Sequence, residues 1–143
     1  MTWDKVLKAL AAITGALAGL FGEWNTALTI LVIVMAMDYI TGVIVAVMHR
    51  SPKTDGGGLS SKVGFIGLAR KGFMILIVLL ATLLDRAVGN STMVFQTAMV
   101  FYYIANEGLS ILENADLMGV PFPTFLRERL ESMREEKQKP PEG

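Results

Sequence analysis

The sequence predicts an all-α polytopic membrane protein with three transmembrane helices, an amphipathic helix before them and a charged amphipathic helix after them. Three apolar stretches are each about 20 residues long, which is what an α-helix needs to cross a ~30 Å hydrocarbon core. The composition agrees, because 52% of the 143 residues are hydrophobic and the mean hydropathy is +0.49. Such spans leave no room for a soluble catalytic domain. We therefore treat residues 1–143 as a single membrane domain.

The charge and cysteine counts exclude several classes of function. The chain has 13 basic and 13 acidic residues, so no basic excess indicates binding to nucleic acid. It has no cysteine and one histidine, His49, which excludes a disulfide framework, thiol catalysis and a metal centre built from these ligands. We expect no cofactor and no enzyme activity. The Ser–Lys combination at 60–62 consists of adjacent residues, and their spacing gives no geometry for general-base catalysis.

The N-terminal segment, 3–22, is predicted to be an amphipathic helix. Its apolar residues recur at helical spacing, and its uncharged run, 9–22, is short for a transmembrane span. Gly15 and Gly19 form a GxxxG pattern, which lets two helices approach closely. The segment either lies at the membrane interface, which we favour, or inserts as a short fourth span.

The first predicted span, 27–48, carries a polar face. Asp38, Thr41 and Gly42 lie at positions i, i+3 and i+4, which places them on one side of a helix. A charge at the bilayer centre costs at least about 2.5–3.5 kcal/mol, so an ionisable residue there usually faces other helices or water. We expect this face to point away from lipid.

The second predicted span, 66–88, follows a glycine-rich and basic loop at 49–63. Basic residues concentrate in cytoplasmic loops, so this loop is predicted to be cytoplasmic and the short linker 85–92 to lie outside. The two charged residues of the linker, Asp85 and Arg86, are predicted to face outward.

The third predicted span, 93–114, carries a continuous strip of polar residues. Their spacing places them along one face of a helix, and they are Gln96, Tyr103, Asn106, Glu107, Ser110 and Asn114. This strip and the polar face of the first span either line a water-filled lesion or join helices by hydrogen bonds inside a closed bundle. A pore-forming membrane protein needs both arrangements, so the sequence leaves both open.

Depth in the membrane indicates a charge pair between the second and third spans. Arg70 and Lys71 lie near the inner end of the second span, and Glu107 lies a few residues from the inner end of the third. With a rise of about 1.5 Å per residue, all three are within one or two turns of the inner interface. We expect Glu107 to pair with Arg70 or Lys71. Asp38 lies deeper, and no basic residue is expected at its level.

The C-terminal segment, 124–143, is predicted to be a charged cytoplasmic tail that begins with an amphipathic helix. Pro121 and Pro123 end the third span, since neither can continue a helix. In the segment that follows, apolar residues recur on one side among mixed charges.

Several blocks of the sequence together resemble one protein family. In chain order they are DYITG at 38–42, the basic segment 62–71, LDR at 84–86, FYYIANEGLSILEN at 101–114 and GVPFP at 119–123. Over about residues 24–130, and in this order, the chain is similar to the toxin-secretion/phage-lysis holin family. That family includes the holin-like protein of clostridial toxin loci. The blocks at 101–114 and 119–123 are the most specific part of the resemblance.

The resemblance implies a bacterial or prophage holin. Such a protein would be a multi-pass protein of the cytoplasmic membrane with its C-terminus in the cytoplasm. It would contact lipid, self-associate as a homo-oligomer and open non-specific lesions that release an endolysin or a large toxin. The residues themselves leave one alternative, a small ion or solute channel or transporter that uses Asp38 and Glu107. A membrane anchor subunit without a pore is a third alternative.

Overall fold

The computed structural model describes residues 2–140, and in that part of the chain every regular element is a helix. The helices follow one another in the order α1 (Trp3–Leu20), α2 (Thr26–Val47), α3 (Ser61–Ala87), α4 (Val94–Leu117) and α5 (Thr124–Gln138). A short 3-10 turn, Asp55–Gly57, lies in the loop between α2 and α3. The predicted all-α fold class is confirmed.

α4 is the central helix of the bundle, because α2, α3 and α5 all pack against it. By contrast, α2 and α3 contact each other little. The apolar core lies between α2, α3 and α4 and is centred on Leu31, Val78 and Val100, whose side chains have almost no exposed surface. Phe21, in the segment between α1 and α2, belongs to the same core.

α2 and α3 are the two helices of the described chain that are long and apolar enough to cross a membrane. They have 22 and 27 residues, and both turn large apolar side chains away from the bundle. Such side chains that are more than half exposed include Ile33, Ile40 and Val47 of α2 and Phe73, Leu76 and Leu80 of α3. Soluble proteins rarely expose so extended an apolar surface, and lipid accommodates it. The outer surface of the bundle therefore supports a membrane location.

α4 has 24 residues, but unlike α2 and α3 it lacks a stretch that is apolar and uncharged enough to count as a candidate membrane span. Polar and ionisable residues recur along it, namely Gln96, Asn106, Glu107, Glu113, Asn114 and Asp116. A helix with such residues crosses a bilayer only when neighbouring helices or water cover its polar side. The third span predicted at 93–114 therefore stays a prediction.

α3 begins at Ser61, before the predicted membrane span, which starts at 66. Ser60 caps the helix, because its hydroxyl oxygen accepts a hydrogen bond from the Val63 amide at 3.3 Å. Gly64 then allows α3 to approach α2 closely, since a Cβ atom at this position would lie 3.3 Å from the hydroxyl oxygen of Tyr39. The first residues of α3, before its apolar run, are thus stabilised by the Ser60 cap and by close packing against α2 at Gly64. Hydropathy does not determine them.

α4 ends later than its predicted end at 114. Gly119 follows it with a φ of +71°, a left-handed conformation that glycine adopts readily at the end of a helix. Pro121 and Pro123 separate this turn from α5. The part of the predicted C-terminal tail at 141–143 lies outside the described residues.

α1 contributes no buried residue to the bundle. Its large apolar side chains are more than half exposed at Trp3, Leu7, Leu10, Ile13 and Leu17. A Cβ atom at Gly15 or Gly19 would have no atom of another element within 4 Å. The close helix packing predicted at these two glycines is not seen within the described chain, and it stays a prediction.

Candidate functional site

A cluster of three charged side chains joins the central helices. Lys71 of α3 places its Nζ atom 2.7 Å from Oδ2 of Asp38 on α2, and it also forms an ion pair with the carboxylate of Glu107 on α4. The side chains of Lys71, Asp38 and Glu107 are 15%, 12% and 6% exposed. One ammonium group therefore bridges two carboxylates largely out of contact with water. We call these three residues the charged cluster.

The periodicity of α3 directs Lys71 into this cluster. Lys71 precedes the buried Val78 by seven residues, and the buried Asp85 follows Val78 by seven. Residues seven apart lie on nearly the same face of a helix, so Lys71 points into the bundle. Arg70 lies one position away and is exposed. Of the two partners expected for Glu107, the structure places Lys71 against it.

The expectation that Asp38 has no basic residue at its level is wrong. Because α3 begins at Ser61, Lys71 lies about 15 Å along the helix rather than in its first turn. The flexible four-carbon stem of lysine then lets one ammonium group contact both Asp38 and Glu107. Asp38 thus has a cation partner within its own chain.

Two polar side chains and a glycine surround Asp38. Nδ2 of Asn114 donates a hydrogen bond to the Thr41 hydroxyl at 2.9 Å and lies 3.5 Å from Oδ1 of Asp38. The Thr41 hydroxyl in turn donates to the backbone carbonyl of Asp38 at 3.0 Å. Gly42 lies against the same amide, since a Cβ atom there would be 3.9 Å from Nδ2 of Asn114. The polar face of α2 is therefore turned towards α4.

A cavity of about 480 Å³ lies beside the charged cluster. Its walls come from α2, α3, α4 and the loop that joins α2 to α3. The polar residues Asn106 and Ser110 of α4 and Arg70 of α3 line it, together with the charged cluster itself. At this level α2 and α3 leave space between them, and the polar side of α4 borders that space.

A second polar site lies where α4 begins. Asp85 of α3 is completely buried, and its Oδ1 and Oδ2 atoms accept hydrogen bonds from the amides of Phe95 at 2.9 Å and Gln96 at 2.8 Å. Oδ1 also accepts a hydrogen bond from the side chain of Asn90 at 3.2 Å. The first turn of a helix leaves its N–H groups without intrahelical partners and favours a negative charge. Asp85 therefore caps α4.

The side chain of Gln96 extends this site to the rest of the bundle. Its Nε2 atom donates to the backbone carbonyl of Phe21 and to the hydroxyl of Thr82, both at 2.8 Å. Its Oε1 atom lies 3.4 Å from the donor Nδ2 of Asn25. Thr82, Asp85 and Gln96 are all buried, and we call them the capping cluster.

Asp85, which the sequence analysis placed in the linker on the outer side of the membrane, is buried within the bundle. Asp85 continues the buried face of α3, which Val78 and Thr82 mark at spacings of seven and three residues. That spacing is visible in the sequence and is the signal that could have located the residue. Arg86, the neighbouring charge, is exposed and donates a hydrogen bond to the backbone carbonyl of Gly19 at 3.4 Å.

The predicted polar strip of α4 is divided between the two clusters. Gln96 belongs to the capping cluster, whereas Glu107 and Asn114 belong to the charged cluster and its surroundings. Tyr103, between them, packs against the apolar core. Within the described chain the strip joins helices to one another, which is one of the two arrangements that the sequence left open.

The charged cluster compensates charge between helices. Two carboxylates share one ammonium group, so removal of Lys71 would leave both negative charges without a cation in a poorly hydrated place. No group of three or more His, Cys, Asp or Glu side chains in residues 2–140 is arranged to hold a metal ion. An apolar outer surface around an ionisable interior is typical of a helical membrane protein.

Comparison with known proteins identifies the family. The profile of the bacteriophage holin family matches residues 15–135. A probable holin of Bacillus phage phi105 is 37% identical over 116 residues, which cover 80% of this chain and 78% of that protein. The chain therefore belongs to the bacteriophage holin family, and the resemblance found in the sequence is confirmed. Membership of this family indicates a membrane protein that is not an enzyme.

Other relatives extend the similarity over almost the whole chain. An uncharacterised protein of Halalkalibacterium halodurans is 36% identical over 142 residues, which cover 95% of this chain and 99% of the relative. An uncharacterised protein of Clostridium perfringens is 37% identical over 114 residues, or 80% of this chain and 79% of the relative. No solved structure matches the chain significantly.

Proposed function

We propose that this protein is a holin that self-associates in the bacterial cytoplasmic membrane and opens non-specific lesions. Through these lesions a cytoplasmic endolysin reaches the cell wall, or a large toxin leaves the cell. Family membership supports the proposal, as does the named probable holin among the relatives.

The observation that carries the proposal is the charged cluster inside a bundle with an apolar outer surface. A lesion wall needs helices with one face for lipid and another for water. α2 offers exposed apolar side chains such as Ile33 and Ile40 on one side and Asp38 with Thr41 on the other. When copies associate, the polar sides of neighbouring helices can face a shared aqueous space while the apolar sides keep their contact with lipid.

The proposed topology has several spans and a cytoplasmic C-terminus. α2 and α3 cross the membrane in opposite directions. The loop between them, with Arg50 and Lys53, lies in the cytoplasm, as does Lys62 at the start of α3. α4 crosses as a third span when other helices or water cover its polar side. α1 lies at the interface or inserts as a fourth span, and its exposed apolar side chains suit either place.

Induction of the chain in a bacterium tests the proposal. The cells carry a large cytosolic marker enzyme and a small dye, and cells with an empty vector serve as the control. A holin releases the marker enzyme abruptly after a delay, because copies must first accumulate and associate. Release of dye alone would indicate a small-solute channel, and release of neither would indicate an anchor, so either result would contradict the proposal.

A second experiment connects the lesions to their cargo. An endolysin without an export signal is expressed with or without the chain, and cell lysis is followed by turbidity. We expect rapid lysis only when both are present. Lysis by the endolysin alone, or no acceleration by the chain, would contradict the proposed release of an endolysin.

A further inference from the structure

The cavity beside the charged cluster opens at the outer surface of the bundle, between α2 and α3. Val43 of α2 and Ile66 of α3 both line it, and they are 37% and 43% exposed. These side chains belong to the apolar surface that faces lipid in the proposed topology. The volume of about 480 Å³ lies within the roughly 300–1,000 Å³ of small-molecule sites. A lipid molecule can therefore reach the cavity directly from the bilayer.

One end of this cavity is polar and lies at the level of the membrane surface. Ser51, Lys53 and Thr54 line it from the loop between α2 and α3, and Ser60 lines it where α3 begins. The loop lies beyond the ends of both apolar helices, which is where phospholipid headgroups are found. This end of the cavity is therefore placed to contact a headgroup.

Two basic side chains of the cavity wall are not committed to the charged cluster. The ammonium group of Lys71 contacts both carboxylates of that cluster. By contrast, Lys53 and Arg70 form no ion pair within residues 2–140. The charged residues of the wall comprise three cations and two carboxylates, so the wall has an excess of positive charge. It therefore favours an anion beside Lys53 and Arg70.

Arg70 can extend its charge towards the polar end of the cavity. It lies nine residues after Ser61, about 14 Å along α3. Helical side chains point back towards the N-terminus of their helix, and a long basic side chain carries its charge to the interface while its carbons stay among apolar groups. The guanidinium group therefore extends towards the loop that carries Lys53. Such a group binds two oxygens of one phosphate at the same time.

A second cavity of about 480 Å³ borders Arg70 between α3 and α4. Phe65 and Phe73 of α3 and Tyr102 of α4 line it, and it shares Met74 with the first cavity. Phe65 and Phe73 are 73% and 69% exposed, so this cavity is a groove on the outer surface of the bundle. Contact with apolar side chains stabilises each CH₂ group of an acyl chain. We call this second cavity the aromatic groove.

We propose that the two cavities together bind one anionic phospholipid, with its phosphate between Lys53 and Arg70 and an acyl chain along the aromatic groove. Two uncommitted cations recognise the phosphate, and the groove recognises the chain attached to it. A free phosphate would leave the groove empty, and a zwitterionic lipid would bring an ammonium group to a wall with excess positive charge. The inference goes beyond the proposed function and needs only α2 and α3 in the membrane. Its failure would leave the release of an endolysin or toxin untouched.

Lipid titration followed by native mass spectrometry tests this site. The full-length protein is purified in detergent without lipid, and phosphatidylglycerol or phosphatidylethanolamine with the same acyl chains is added. We expect one phosphatidylglycerol per chain to bind at an about tenfold lower concentration than phosphatidylethanolamine, because it carries a net negative charge. Equal binding of the two lipids would overturn the inference, since the two cations would then not select the headgroup.

The double variant Lys53→Gln/Arg70→Gln separates a specific site from general attraction to a basic surface. Both side chains are exposed, so the bundle should keep its fold. We expect phosphatidylglycerol to bind about tenfold more weakly, because the variant loses charge-assisted hydrogen bonds to the phosphate. Binding of phosphatidylethanolamine should change much less.

The matched control is Lys62→Gln/Arg129→Gln. It also removes one lysine and one arginine that are exposed, but neither residue lines either cavity. Its affinity for phosphatidylglycerol should stay within about twofold of the parent, since exposed charges at a distance are screened by salt. An equal loss of affinity in the two double variants would leave only general electrostatic attraction and would contradict the proposed site.

Inorganic phosphate distinguishes a lipid site from a phosphate site. At about a hundredfold excess over phosphatidylglycerol it should displace less than half of the bound lipid, because it makes no contact with the aromatic groove. Displacement at equal concentrations would show that the phosphate alone is recognised, and the assignment to a lipid would be wrong.

Hydrogen exchange locates the bound lipid without any substitution. Phosphatidylglycerol should slow exchange of the amides in the loop 51–60 by about threefold, because binding stabilises the segment that it contacts. The linker 88–92, at the opposite end of α3, should be unaffected. Unchanged exchange in the loop, or equal slowing at both ends of α3, would show that the lipid does not occupy the proposed site.

Discussion

The capping cluster and the charged cluster both hold carboxylates inside the bundle, but they stabilise them by different means. Asp85 receives backbone N–H groups from Phe95 and Gln96, which lie only 10 and 11 residues further along the chain. Its partners are fixed by the turn between α3 and α4. The carboxylate and the start of α4 therefore form one local unit that can assemble as the hairpin folds.

The charged cluster depends on contacts between distant parts of the chain. Lys71 is 33 residues from Asp38 and 36 residues from Glu107, and each of the three comes from a different helix. Both contacts use side chains only. Because no backbone group fixes them, they change whenever α2, α3 and α4 move relative to one another. We therefore expect the capping cluster to persist during association of copies and the charged cluster to rearrange.

Of the substitutions that test this comparison, Lys71→Met should cause the largest loss of stability. The substitution keeps the approximate size of the side chain but leaves Asp38 and Glu107 facing each other without a cation. Removal of one partner from a buried ion pair typically costs about 3–5 kcal/mol. We expect a loss of stability of this size, measured by denaturant unfolding of the purified protein in detergent, together with an altered delay before marker release in cells.

Arg70→Met is the matched control for this variant. It removes the same kind of charge one position away, where the side chain is exposed and outside the cluster. Its unfolding midpoint should stay close to that of the parent. Equal midpoints for the two variants would mean that the charged cluster does not stabilise the bundle.

Asp85→Ala should have the next largest effect, because it breaks the capping cluster. The amides of Phe95 and Gln96 would lose their acceptors in a buried place. An unsatisfied buried donor costs about 1–3 kcal/mol, so we expect a loss of about 2–3 kcal/mol and faster hydrogen exchange of these two amides. Asp116→Ala, which removes an exposed partner of Arg127, should cost less than about 1 kcal/mol. Unchanged exchange at Phe95 and Gln96 would show that Asp85 does not cap α4.

Prediction from the sequence was most accurate for features that depend on one helix alone, such as its bounds. α2 was predicted within one residue at each end, because its apolar run is uninterrupted and Asn25 accepts a hydrogen bond from the Leu28 amide as an N-terminal cap. Hydropathy located the apolar run of α3 but not the first residues of the helix, which Ser60 and the close approach at Gly64 determine. Local signals such as N-terminal caps therefore determine where the helices begin, whereas hydropathy locates only their apolar parts.

Contacts between helices were harder to predict. The depth of Arg70 and Lys71 in the membrane could not show which of them contacts Glu107. Depth does not indicate which face of the helix a side chain occupies. The buried position of Asp85 was missed for the same reason. The docking of α5 was beyond sequence reasoning, because it depends on Leu130 meeting Gly108 across the turn, whereas Phe125 stays exposed.

Among Lys71→Met, Asp85→Ala and Glu107→Gln, the last should change the stability of the bundle least. It also tests most directly how the charged cluster differs from the capping cluster. Lys71 keeps Asp38 as a partner, and glutamine retains the shape and an acceptor oxygen of the lost carboxylate. The change also removes the repulsion between two carboxylates that share one cation. We expect a change in unfolding free energy of less than about 1 kcal/mol.

The double variant Asp38→Asn/Glu107→Gln completes the test, because it leaves Lys71 without an anion in the cluster. Its loss of stability should exceed the sum of the two single changes, as expected for residues that share one partner. Denaturant unfolding of the parent, Asp38→Asn, Glu107→Gln and the double variant in the same detergent measures this coupling. Additive losses would mean that the two carboxylates do not share Lys71, and the charged cluster would then resemble two independent contacts rather than one non-local unit.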